Sequence, residues 1–117
     1  MPREVQKLLY DVHQACASIA RFTSGLDLQA FQTNDLVRSA VERKFEIIGE
    51  ALNQALKIQP DLAATITNSQ QIIHFRHVLI HRYYRIDPAI VWGVVQDDLP
   101  KLAQEVEELM GPYSPPQ

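Results

Sequence analysis

Along the chain, apolar residues return every three or four positions and polar residues fill the gaps, a rhythm that predicts helices and nothing else. Val5, Leu8, Leu9, Val12, Cys16 and Ile19 form one such stripe, so the stretch from Arg3 to about Phe22 predicts an amphipathic helix. Thr23, Ser24 and Gly25 break it, and Leu26 to Thr33 reads as a connector whose Leu28 and Phe31 can cover a core edge. Asn34 is placed to cap a second helix, in which Leu36, Val37, Ala40, Val41, Phe45, Ile48, Ala51, Leu52, Ala55 and Leu56 carry the stripe to about Ile58. Gly49 inside that helix costs about 1 kcal/mol of propensity against alanine, which points to close approach by another helix.

Gln59, Pro60 and Asp61 end the second helix. After a short polar stretch, Asn68 or Ser69 opens a third helix predicted to run to about Tyr84. Asp87 followed by Pro88 is a cap and a first-turn proline. They open a fourth helix with Ile90, Val91, Val94, Val95, Leu99, Leu102, Val106 and Leu109 inward, which Pro100 is expected to kink. Residues 111–117, with Pro112, Pro115 and Pro116, read as a flexible tail. No strand pattern, internal repeat or low-complexity run competes, so the expectation is one all-α domain over residues 1–117, a bundle of four to five helices.

Composition narrows this picture. With 117 residues, 46% of them apolar, the chain is long enough for one core and too short for two ordinary ones. A net charge of -3 argues against coating nucleic acid through overall charge and leaves only a local patch for such a ligand. The lone Cys16 lies in the apolar stripe of the first helix, where a buried thiol is expected; it excludes an intrachain disulfide and suits a reducing compartment. Neither a leader-like apolar run nor a segment near the roughly 18 apolar residues of a membrane span is found, so a cytoplasmic protein is expected.

The chemistry concentrates on the third helix. On an ideal helix Ile72, Ile73, Leu79, Ile80 and Tyr83 lie within about 60° of Arg76, which places a cation in an apolar stripe. Such a charge is either a structural ion-pair partner or a site residue facing a wet cleft, and Glu50 and Glu46 of the second helix are candidate partners. His74, His77, His81 and Arg85 share the opposite face, with Arg82 beside them. Histidine can take and give a proton near neutral pH, and arginine offers a charged fork matched to phosphate oxygens, a combination suited to cleavage of an RNA backbone. The three histidines could instead bind a transition metal, although no cysteine or carboxylate interleaves with them; the plainest alternative is a solvated, weakly basic face.

Residues 76–83, RHVLIHRY, match an R-x4-H-x-Y motif, and in this the chain resembles the HepT-like branch of the HEPN proteins. The likeness continues through Tyr84 to Pro88, Ile90 to Trp92 and Val95 to Pro100, and upstream through Val41 to Ala51, VERKFEIIGEA. It implies a HEPN-type helical bundle, homodimeric, whose two motifs face a shared cleft. It also implies a metal-independent endoribonuclease toxin without a cofactor, restrained by a minimal nucleotidyltransferase antitoxin. Arg76 and His81 would be the catalytic pair, His81 moving the proton and Arg76 stabilising the phosphate. Tyr83 would be the tyrosine that receives AMP, and His74, His77, Arg82, Arg85 and Glu50 would support or bind the RNA. Two residues stand out in the motif: His77 occupies a position where asparagine is common, and Arg82 one where glycine is frequent. Since Arg76 and His81 lie about 140° apart on an ideal helix, either a distortion near His81 or a second protomer must bring them to one phosphate. A HEPN dimer that binds nucleic acid or the nucleotidyltransferase without cutting is the other reading.

Overall fold

The computed structural model describes residues 1–116. Its elements are α1 (Arg3–Thr23), α2 (Leu28–Thr33), α3 (Asp35–Ile58), a 3₁₀ turn (Pro60–Ala64), α4 (Ser69–His81), a second 3₁₀ turn (Tyr83–Arg85), α5 (Pro88–Gly93), a π-helical turn (Val94–Asp98) and α6 (Leu99–Met110). Because α5, the π turn and α6 follow without interruption, the described residues form five helical rods and no strand.

Apolar burial explains the arrangement. Val5, Leu9, Val12, Cys16 and Ile19 of α1 are buried against Val41, Phe45, Ile48, Leu52 and Ala55 of α3, and Leu102 and Val106 of α6 close the other side of α1. Helix α3 also receives α4, through Phe45 and Phe75, whose rings meet edge to face at 5.3 Å. Thus α3 lies between α1 and α4, and the motif helix is held by α3.

Caps behave as expected at two helices. Asn34 accepts from the Val37 amide at 3.0 Å to start α3, and Asp87 accepts from the Ala89 amide at 2.9 Å to start α5. The stretch expected as a connector contains α2, capped by Asp27, which accepts from the Ala30 amide at 2.8 Å. Six residues show too little periodicity to betray a helix; what makes this one is Phe31, fully buried with its ring 5.1 Å from that of Trp92. Leu36 and Ile90, expected inward, are exposed, since each sits in the first turn of its helix before the rod enters the bundle. The irregularity forecast at Pro100 takes the form of the π turn, in which the Leu99 amide donates to the Val94 carbonyl. Proline has no N–H for the carbonyl four residues back and its ring crowds that carbonyl, and a wider turn just ahead of it relieves both.

Within the segment expected as a tail, Tyr113 rests on Tyr10 at 5.5 Å, and the Arg3 guanidinium lies 5.1 Å from the Tyr113 ring centre. That expectation ends at Gln117, which lies outside the described residues. No helix among the described residues is long and apolar enough to cross a membrane.

Candidate active site

The helix that carries the motif approaches α3 at a glycine. A Cβ built on Gly49 would lie 2.4 Å from the Arg76 Cβ and 3.0 Å from its Cδ, so the stem of Arg76 occupies the space a side chain would need. The close approach inferred from the sequence is this contact. One residue on, Glu50 Oε2 accepts from Arg76 Nη2 at 2.9 Å, while Glu50 Oε1 accepts from Gln54 Nε2 at 2.8 Å. Both carboxylate oxygens are therefore engaged, and the guanidinium is aimed. The Arg76 side chain is 31% exposed and that of Glu50 43%, so the pair adds about 0–1 kcal/mol to stability and its main effect is positional. Glu46, the other candidate partner, pairs with Arg43 at 3.6 Å instead.

Arg76 lines a cleft of about 320 Å³ between α1, α3 and α4, together with Lys7, Asp11, Glu50, Gln54 and Ile80. Three of these, Lys7, Asp11 and Gln54, were not singled out from the sequence. Lys7 and Asp11 form an ion pair one turn apart, and Glu50 with Gln54 has the same spacing, so the pairings were legible. Their assembly around Arg76 depends on how three helices meet.

The other face of α4 is an open row of imidazoles. The rings of His74 and His77 are 6.0 Å apart and nearly parallel, and those of His77 and His81 are 4.4 Å apart. All three residues are exposed. His77 has its pKa lowered, by desolvation first and then by the positive charges of His81, His74, Arg82 and Arg76. No group of three or more His, Cys, Asp or Glu side chains among the described residues is placed to hold a metal ion; the imidazoles stand in a row and do not converge.

Helix α4 ends at His81, three residues earlier than expected, because Arg82 leaves helical geometry at φ -125° and ψ 32°. Tyr83 therefore does not share the Arg76 face, as seven-residue spacing on an unbroken helix would require. It lies in the following 3₁₀ turn, 74% exposed, and meets Tyr84 edge to face at 5.7 Å. Arg85 likewise leaves the histidine row, and its guanidinium lies 5.4 Å from the centre of the Tyr84 ring. The break comes after His81 and so does not swing its side chain toward Arg76. Within one chain, Arg76 faces the cleft against α3 while His81 stacks on His77, and the two are not brought together.

The chain is 36% identical over 107 residues to "Putative RNase MJ1380" of Methanocaldococcus jannaschii, an alignment spanning 90% of this chain and 95% of that protein. It is 29% identical over 113 residues to "Probable ribonuclease HepT" of Thermococcus cleftensis, spanning 93% and 98%. It is also 29% identical over 110 residues to "Putative RNase MJ0125" of M. jannaschii, spanning 92% of each. No solved structure matches it significantly. The family model described as "Ribonuclease HepT-like" matches residues 12–109, which include α3, α4 and the whole R-x4-H-x-Y segment, and the chain belongs to the HepT-like ribonuclease family.

Proposed function

We propose that the protein is the toxin of a toxin–antitoxin pair, a cytoplasmic endoribonuclease that works as a homodimer without a metal and is silenced by AMP transfer to Tyr83. The observation that carries this reading is the guanidinium of Arg76. It is held by Glu50 at the wall of an open cleft, on the motif helix that also ends in an exposed His81.

In this reaction the His81 imidazole takes the proton of an RNA 2'-hydroxyl, whose oxygen attacks the adjacent phosphorus. Arg76 meets the negative charge that gathers on the phosphorane oxygens. The imidazolium so formed gives that proton to the departing 5'-oxygen, and the products are a 2',3'-cyclic phosphate and a 5'-hydroxyl. Because Arg76 and His81 emerge from different faces of α4, a second copy supplies the missing group when two motif helices face one cleft. The partner in the pair is a minimal nucleotidyltransferase antitoxin. It transfers AMP from ATP to the Tyr83 hydroxyl with release of pyrophosphate, leaving a bulky anion next to the RNA path.

The separation of Arg76 and His81 within one chain also supports a second reading, a dimer that binds RNA or the nucleotidyltransferase without cutting. Incubating the purified protein with total RNA in EDTA decides between them, with His81→Ala and Arg76→Ala as controls. Cleavage leaving cyclic phosphate ends, lost in both variants, is expected. Full activity in His81→Ala removes His81 from the chemistry, and 3'-hydroxyl ends sink the metal-independent mechanism; binding without cleavage selects the second reading.

A further inference from the structure

Charge is distributed unevenly along this acidic chain. Between residues 62 and 86 there are three arginines, Arg76, Arg82 and Arg85, and none of the 14 acidic residues. The same stretch carries three of the four histidines, two of the four tyrosines and no lysine. Arg76 is turned into the cleft and paired with Glu50, so the cations left facing water in this stretch are Arg82 and Arg85, next to the histidine row.

That stretch is also where aromatic rings face water. Tyr83 and Tyr84 are 74% and 66% exposed, in the 3₁₀ turn just beyond the end of α4. Tyr84 stands at 87° to the Tyr83 ring, centroids 5.7 Å apart, and the Arg85 guanidinium lies over it, 5.4 Å from its centre. A large ring held out of the core, with the Arg85 guanidinium over it and Arg82 two residues before it in the chain, has the composition of a base-stacking platform.

We propose that Tyr84, with Arg85 over it, is a nucleobase-stacking site that selects unpaired RNA and seats the nucleotides flanking the cleaved bond. The inference rests on the nuclease reading for its role in cleavage, but the binding it describes stands independently. Stacking on a side chain needs a free base face. A duplex keeps its base faces inside the helix and offers a protein mainly phosphates and sugar hydroxyls, whereas a loop or single-stranded end can splay a base onto the ring. Arg82, out of helical geometry between His81 and the tyrosines, contributes a phosphate contact at the junction. Its positive charge lies where the strand passes from the stacking site toward His81.

The test uses the full chain and a fluorescent 2'-O-methyl oligonucleotide of about twelve nucleotides, which lacks the attacking hydroxyl and cannot be cut, as a single strand or in a duplex. Anisotropy should show single-strand binding at least about tenfold tighter than duplex binding. Tyr84→Ala should remove about tenfold of the single-strand affinity and leave duplex binding unchanged, while Tyr84→Phe, which keeps the ring, should bind as wild type. Arg85→Gln should weaken single-strand binding and flatten its salt dependence by about one ion. Equal affinity for the two forms overturns the proposal, as does unaltered binding by Tyr84→Ala. So does a change of oligomeric state in Tyr84→Ala by light scattering, which would make this ring a protein contact. Single-strand selectivity without cleavage of unmodified RNA supports the stacking site and overturns the nuclease; cleavage without selectivity does the reverse.

Discussion

Gly49 and Arg76 occupy one another's space: the backbone of α3 is bare at the point where the stem of the motif arginine crosses it, and an added Cβ would stand 2.4 Å from the Arg76 Cβ. The clash is with the root of the side chain, so rotating Arg76 does not relieve it and the helices must part. Gly49→Ala gains about 1 kcal/mol of helix propensity but should cost about 1–3 kcal/mol through overpacking, a net loss of up to about 2 kcal/mol. A lower urea midpoint is expected, together with reduced RNA cleavage. A midpoint equal to or above wild type would show that α3 and α4 have room to spare.

Glu50 separates position from stability. Its pair with Arg76 is partly solvated, so Glu50→Gln should change unfolding free energy by less than about 1 kcal/mol. Cleavage should nevertheless fall by roughly ten- to a hundredfold, because the guanidinium is no longer aimed. Arg76→Lys should be as inactive as Arg76→Ala, since an ammonium lacks the planar fork that reaches Glu50 and a phosphate together. An active Arg76→Lys would mean that charge alone suffices.

Acid should loosen the fold through His77. Its pKa lies below the ordinary 6.5, so as pH falls through 6.5 the unfolded chain takes up the proton before the native one does. This residue's contribution is therefore favourable above 6.5 and lost as pH falls below it, down to its native pKa. Urea melts at pH 7.5 and pH 5 should show a smaller loss for His77→Gln than for wild type. Identical losses in the two proteins would contradict the crowding of cations on this face.

Tyr83 should accept AMP without unfolding the protein, because a side chain 74% exposed has little packing to lose. Co-incubation with the cognate nucleotidyltransferase and ATP should add adenylyl mass to the peptide holding Tyr83 and abolish cleavage. Tyr83→Phe should stay active under the same treatment. Mass on Tyr84 alone, or inactivation of Tyr83→Phe, would move the switch elsewhere.

Burial should also make Cys16 inert. Desolvation pushes its thiol up to about 12, so the nucleophilic thiolate is scarce at neutral pH. Alkylation at pH 7.5 should be undetectable in the native protein and rapid in urea. Prompt native labelling would show that α1 opens locally.

Much of this molecule is written in spacing alone. Three- and four-residue periodicity marks α1, α3 and α6, and Asn34 and Asp87 announce their helices because a cap is chosen by the amides within its own turn. The motif residues and the glycine's need for a close neighbour are local statements too. What spacing cannot contain is the partner across a gap. Phe31 makes α2 a helix through Trp92, sixty-one positions later, and Leu36 and Ile90 look buried until the bundle's limits are known. The row of histidines follows from α-helical geometry, but the end of α4 at His81 does not, and that one break moved Tyr83 and Arg85 off the faces an ideal helix assigns them. The cleft around Arg76 is decided last of all. Lys7, Asp11, Glu50 and Gln54 meet there only because apolar burial seats α1 and α4 on α3 at this height, and side chains distant in sequence acquire a common environment only from packing.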